Sequence, residues 1–363
     1  MVLRTFHPVG HGAFYSEKHL CGGTESCIVY DCGTLEKKNL VDTVAKDAFS
    51  DDEVIDILFI SHFDKDHVSL VPELRPFQNR KIKKVVLPLL HDDVKLLLNG
   101  YYRLKIGRWR KSDVDISLSI LNHPQEFFQD SELIFVSYRN DKLSDVQREI
   151  KDITYVKGGI VESGTAISLR KYQGWAFVPY NFDQPNRATA LKKQLKQDGI
   201  DINRLNDATF VNRYAQKLKT FYKTIGKGIN ENSMVVYSGP SHSSASFCVC
   251  QGRIGCIYTG DFNLKNTSLR EVFKAYWSNV GTLQIPHHGS IHSFDESCLK
   301  FQRLKCPISA SGRFRLPHQD VEVRIAKNGS WPILITADKW TIYREMFCMR
   351  GAPVWCGVCG LTI

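Results

Sequence analysis

An apolar run, Ile55-Asp56-Ile57-Leu58-Phe59-Ile60, leads directly into Ser61-His62-Phe63-Asp64-Lys65-Asp66-His67. The run has the length and β-branched content of a buried strand. The segment after it sets two imidazoles and two carboxylates within six positions. Groups of this kind crowded at a strand end lose hydration, and a bound cation is the usual compensation. A fold for this chain must therefore carry a rigid sheet whose rim is built to hold charge. Taken singly, His62 or His67 reads as a core histidine with a satisfied ring. With Asp64 and Asp66 between them, the two read as ligands.

The same local grammar returns along the chain. Residues 27–30 form an apolar strand ending at Asp31-Cys32-Gly33, and residues 255–258 end at Thr259-Gly260-Asp261. Residues 282–285 end at Pro286-His287-His288-Gly289-Ser290. Further strands are expected at 84–89, 166–169, 175–179, 234–237, 247–250, 306–310 and 332–336. Helical periodicity covers 35–49 and 186–222. Strands and helices mix at short spacing, which predicts two layered sheets with a site along one rim.

At 363 residues, 43% of them apolar, the chain can bury one large core or two ordinary ones. No apolar run approaches the roughly 20 residues that cross a bilayer. The N-terminus lacks the charged-then-apolar pattern of a secretion signal, so a cytoplasmic protein without membrane association is expected. Eleven scattered cysteines argue for reduced thiols rather than a disulfide framework. Cys356-Gly-Val-Cys359, with Cys348 and Cys306 upstream, is a weak zinc-knuckle signal beside that reading.

The net charge of +10 favours an acidic partner, nucleic acid first. One basic stretch holds Arg75, Arg80, Lys81, Lys83, Lys84, Arg103, Lys105, Arg108, Arg110 and Lys111, with Tyr101, Tyr102 and Trp109 interleaved. A second runs from Arg187 through Lys192, Lys193, Lys196, Arg204, Arg213, Lys217, Lys219 and Lys223 to Lys227. Aromatics among cations suit backbone contacts with base stacking; a solvated helix face is the competing reading.

The series His-x-x-x-Asp-His, Thr-Gly-Asp and His-His-Gly-Ser resembles the metallo-β-lactamase superfamily. Within it, Ser61-His62-x-Asp64-x-Asp66-His67 is most similar to the metal-dependent domain of the ComEC-type DNA-internalisation competence proteins. Val9-Gly10-His11-Gly12 resembles that branch's opening, with His11 in place of a Gln. Asn230-Glu231-Asn232-Ser233 resembles its Asn-rich approach to a strand, and Pro317-His318 resembles a late His-Pro pair in reversed order. The resemblance implies an α/β fold, the metallo-β-lactamase αββα sandwich, as a single domain over 1–363 with an inserted helical, basic segment at about 95–225.

The resemblance also implies roles. His62 and Asp64 would face a first metal, Asp66 and His67 a second, with Asp261 bridging. His287 or His288 would complete the second site, and spacing leaves that choice open. Asp66 would orient the nucleophile, and His318 would act at the leaving group as proton donor or phosphate contact. Asp31 would anchor the motif loop. The third histidine of the first site has no clear counterpart; Asn232 stands near that position and His242 is a lesser substitute. His7, His11, His19, His91, His123 and His292 read as ordinary, His11 being the first candidate for more.

Two divalent cations, Mn2+ or Zn2+ with Mg2+ also admissible, are the implied cofactors. Asp64 in place of an imidazole hardens the site toward manganese or magnesium. Two such ions about 3.5–4 Å apart would clamp the oxygens of an in-line phosphoryl displacement. The expected function is a metal-dependent phosphodiester hydrolase acting on nucleic acid, DNA ahead of RNA. A soluble nuclease of that kind suits a defence effector, and a protein partner or regulator is left open. Two alternatives stand beside it: a small-molecule phosphodiesterase or lactonase of the same fold, and a non-catalytic nucleic-acid-binding partner with a structural metal.

Overall fold

The computed structural model describes residues 1–21, 23–75, 80–139, 151–152, 157–169, 174–182, 185–224, 233–241, 253–300, 302–310 and 315–348. Asn232, His242, Lys227, the expected strand at 247–250 and the Cys356–Cys359 pair lie outside them. The chain begins β1 (Val2–Phe6), β2 (Phe14–Cys21), β3 (Thr24–Cys32), α1 (Lys38–Asp47), β4 (Ile55–Phe59), α2 (Lys65–Val68) and β5 (Ile82–Pro88). Next come α3 (Asp92–Arg103), α4 (Lys111–Asn122), α5 (Pro124–Phe127), β6 (Glu132–Arg139), β7 (Lys151–Asp152), β8 (Gly159–Glu162), β9 (Ile167–Ser168) and β10 (Trp175–Phe182). After α6 (Pro185–Gln197), α7 (Ala208–Arg213) and α8 (Ala215–Thr224), the chain returns to strands with β11 (Val235–Pro240) and β12 (Gly255–Tyr258). It continues through α9 (Leu269–Val272), β13 (Val280–Leu283), β14 (Lys305–Ser309), α10 (Gln319–Lys327), β15 (Trp331–Ile335) and β16 (Tyr343–Phe347).

The strands make two sheets. The first runs β16-β1-β2-β3-β4-β5-β6 and the second β15-β14-β13-β12-β11-β10, joined where β10 pairs with β6. β3 to β6 are mutually parallel, as are β12 to β15. Alternation along the strands sorts the side chains into three cores. Ile28, Tyr30, Ile57 and Phe59 of the first sheet meet Trp175, Phe177, Val236 and Tyr258 of the second. On the outer side of the first sheet, Cys27, Val29 and Leu58 pack with Leu97, Val114 and Leu218 of the helices. On the outer side of the second, Val235, Tyr237 and Ile257 pack with Leu269, Val321 and Ile325. Helices, sheet, sheet, helices is the αββα layering.

The helical stretch at 186–222 is three helices, not one. Gly199 adopts a left-handed φ of 69° after α6, and Asp207 caps α7 by accepting hydrogen bonds from the Thr209 and Phe210 amides at 2.8 and 3.1 Å. Between the helical blocks of 92–127 and 185–224, β6 and β10 supply the seam of the two sheets.

A polar network crosses the inner core. Fully buried Arg4 donates to Glu17 Oε1 (2.9 Å) and Glu345 Oε2 (2.8 Å), both on the first sheet. From the second sheet, Tyr258 and Ser238 donate to Glu17 at 2.9 and 2.8 Å, and Thr282 and Lys305 donate to Glu345 at 2.9 and 2.8 Å. Burial pushes the Glu17 carboxyl up, but the Arg4 guanidinium and His19 outweigh it and hold it at about 2, against an ordinary 4.5. A depressed carboxylate contributes stability that is present above its unfolded value and lost as pH falls through its folded one. Glu17→Gln should therefore cost about 3–5 kcal/mol at neutral pH. It should also flatten the loss of stability between pH 4.5 and 2 in denaturant titrations. Equal pH slopes in the two proteins would rule this linkage out.

Candidate metal centre

The rim forms where parallel strands of both sheets end. β3 delivers Asp31, β4 delivers Ser61 through His67, β12 delivers Asp261 and β13 delivers His287 and His288. β11 runs the opposite way, so Ser233 before its start reaches the same edge. The two rims touch directly where the Met234 amide donates to the Ser61 carbonyl at 2.9 Å, and within the second rim the His287 amide donates to the Gly260 carbonyl at 3.1 Å. Gly33 is required beneath α2, because a Cβ there would lie 2.5 Å from the backbone of Asp66 and His67. Asp31, His287 and His288 all sit at left-handed φ (49°, 49° and 54°). Strain of this kind concentrates where structure is over-determined around a site.

Four side chains from these remote segments converge. One donor atom from each of Asp66, His67, Asp261 and His288 lies within 4.8 Å of the others, and all four residues are buried. His288 Nε2 is 3.2 Å from Asp66 Oδ2, and His67 Nε2 is 3.3 Å from Asp261 Oδ1. The remaining atoms fix these rings. His67 Nδ1 faces Asp31 Oδ2 at 2.8 Å, while Asp31 accepts from both the amide and hydroxyl of Ser61 at 2.7 Å. His62 Nδ1 lies 3.0 Å from Ser61 Oγ and from Ser233 Oγ, leaving its Nε2 3.8 Å from Asp261. Ser233 Oγ also accepts from the Asp261 amide at 2.9 Å.

This donor set fits a divalent cation. His62 Nε2, His67 Nε2 and Asp261 Oδ1 are buried and make no hydrogen bond among the described residues, whereas buried polar atoms ordinarily have partners. Two imidazoles with two carboxylates suit a borderline to hard ion. An imidazole whose far nitrogen meets a carboxylate, as His67 meets Asp31, is the usual outer arrangement of a metal ligand.

The electrostatics agree. Burial opposes the charged Asp66, but the hydrogen bond from His288 and the charge of His67 hold its carboxyl well below the usual range. Asp261 is likewise held down, by His287 and His67 against burial. Burial would discharge His67, yet Asp261 and Asp31 raise it well above an ordinary imidazole. Burial and His67 lower His62 to about 4.

The other expected residues are placed as follows. His288, not His287, joins the four; His287 Nδ1 instead faces Ser293 Oγ at 3.2 Å. Asp64 stands at the start of α2 on the side of Tyr102 and Lys105, with burial and Asp66 raising its carboxyl to about 7. His318 is exposed on the rim, its amide donating to the Gly289 carbonyl at 3.1 Å. His11, the first candidate among the histidines otherwise read as ordinary, lies at the centre: its ring is 3.9 Å from that of His288 and its Nε2 3.6 Å from Asp66. Its only sequence signal is its place between Gly10 and Gly12. Ser61 and Ser233 carry no chemical signature that sequence alone could single out.

No protein-family model matches the sequence, and no curated protein matches it significantly. Among solved structures, a long form RNase Z from yeast is similar at 10% identity and a TM-score of 0.31, over 92% of this chain and 37% of that one. This chain thus spans well under half the length of that protein. The likeness is slight, and the reading below rests on the residues alone.

Asp31→Asn keeps the size of the side chain and tolerates the left-handed backbone, but it removes the charge facing His67. Manganese affinity, measured by calorimetry on folded protein, should fall about 10- to 100-fold. An unchanged affinity would show that Asp31 does not orient a ligand.

Proposed function

We propose that this chain, as one domain, is a metal-dependent phosphodiester hydrolase of the metallo-β-lactamase type acting on nucleic acid, DNA ahead of RNA. The observation that carries the reading is the convergence of Asp66, His67, Asp261 and His288 from four distant segments onto one buried point. Asp66, His67, Asp261 and His288 would hold one cation; His62 and Asp64, with Asp261 between, would hold a second. Such ions supply Lewis-acid polarisation of a phosphoryl oxygen and lower the pKa of water.

The chain's own residues do the positioning. Asp31 and Ser61 keep the His67 ring turned with Nε2 inward. Ser233 fixes His62 and the backbone of Asp261 together. Asp66, its carboxyl held against burial well below the usual range by His288 and His67, would orient the attacking water. His318, exposed on the rim, would meet the leaving oxygen. The exposed Lys217, Lys219 and Lys223 of α8 supply cationic surface for phosphates. Arg80 of the first basic stretch does not take part: it is buried, donating to the carbonyls of Lys46, Phe49, Ser50 and Leu74.

Among the described residues, no helix is long and apolar enough to cross a membrane. The cellular role we attach to the activity is degradation of foreign DNA in the cytoplasm by a defence effector.

Metal-free protein incubated with supercoiled plasmid and single-stranded DNA should cleave on addition of manganese, magnesium or zinc. Asp66→Ala and His67→Ala should each abolish that cleavage while leaving the fold, and in cells they should abolish protection against incoming DNA. Full cleavage by either variant would refute the assignment. Neutralising Lys217, Lys219 and Lys223 together should reduce the slope of log affinity against log salt by about 2–3, with hydrolysis of a small chromogenic phosphodiester unchanged. Equal loss on both substrates would remove α8 from the binding surface.

A further inference from the structure

The loop 104–110 joins α3 to α4 and is fastened to the metal-binding motif. Asp113, fully buried in the first turn of α4, accepts from Lys65 of α2 at 2.9 Å and from Arg110 at 3.2 Å. On the other flank, Tyr102 sits in the core below Asp64. The loop is itself tightly wound. The Arg108 and Trp109 amides both donate to the Lys105 carbonyl, at 2.9 and 2.8 Å, around Gly107 at a φ of 91°.

What the loop displays is unlike an ordinary surface turn. Lys105 Nζ lies 4.1 Å from the centre of the Tyr101 ring and 5.6 Å from that of Trp109. Among the described residues, no carboxylate lies within ion-pair distance of Lys105 or Arg108. Trp109 rests one side on the outer core and is half-buried, and Ile106 beside it is 51% exposed. Burial lowers the Lys105 ammonium while Asp64 and Asp66 pull the other way, so this cation stands within electrostatic reach of the motif carboxylates. Cations without ion-pair partners among the described residues, interleaved with a half-buried tryptophan at an exposed turn, suit a phosphate and an adjacent unstacked base. A stacked duplex offers no such base.

We propose that loop 104–110 is a lip that holds one unpaired nucleotide of a single strand beside the metal centre, phosphate on Lys105 and Arg108 and base on Trp109. The inference rests on the nucleic-acid reading above and names the substrate form that the site takes. It makes single strands, or duplexes opened at the site, the bound form.

Binding is read without turnover, by fluorescence titration of the full chain in chelator with oligo-dT, oligo-U and a blunt duplex. The single strands should quench tryptophan emission, and Trp109→Phe should remove most of that quench while retaining affinity. Trp109→Ala, checked for folding by circular dichroism, should weaken single-strand affinity about 5- to 150-fold and leave duplex affinity unchanged. Lys105→Gln should weaken single strands about tenfold. Equal single-strand affinity in wild type and Trp109→Ala, in a protein that still cleaves plasmid, would overturn the lip alone. Failure of wild type to bind or cut any nucleic acid would overturn the reading beneath it.

Discussion

The contact between Asp31 and the His62–His67 segment is the constraint on which the centre depends. One carboxylate takes the amide and hydroxyl of Ser61 and the outer nitrogen of His67, Nδ1. It thereby locks the end of β3 to the end of β4 and sets the direction of a ring. Removing a partner from a buried charge leaves a penalty of several kcal/mol, so the clamp and the groups it aims stand or fall together. Gly33 completes the arrangement by letting β3 pass under α2 without a side chain in the way.

Around that clamp the sandwich acts as a frame. Each sheet brings part of the donor set: Asp66 and His67 from the first, Asp261 and His288 from the second. Their meeting requires the sheets to hold a fixed register across the inner core. Aromatic packing contributes, with Tyr30 stacked between Phe59 at 5.0 Å and Tyr258 at 3.8 Å. So does the Arg4 network, which is directional where apolar packing is not. Its carboxylates accept from particular strands of the opposite sheet as well as from Arg4 on their own, so a slipped packing would strand buried charge.

Sequence reading recovered the strands that end in ligands because their residues are apolar on both faces and stop at small turn residues. Among the strands it passed over, β1, β2 and β16 are those that carry the buried Arg4, Glu17, His19 and Glu345. A buried polar network erases the hydrophobic alternation by which a strand is known. The long helical pattern at 186–222 hid its breaks, since Gly199 and Asp207 interrupt geometry without interrupting apolar spacing. The choice between His287 and His288 was beyond sequence, because left-handed backbone at both positions decides which ring turns inward. His11 was hidden for a similar reason: only the folded loop brings its ring against His288.

The distribution of the centre along the chain has a consequence for synthesis. The four converging side chains run from residue 66 to residue 288, so a partly made polypeptide lacks the complete set. On a growing chain the centre would come together only after most of the length had emerged and the second sheet had closed on the first.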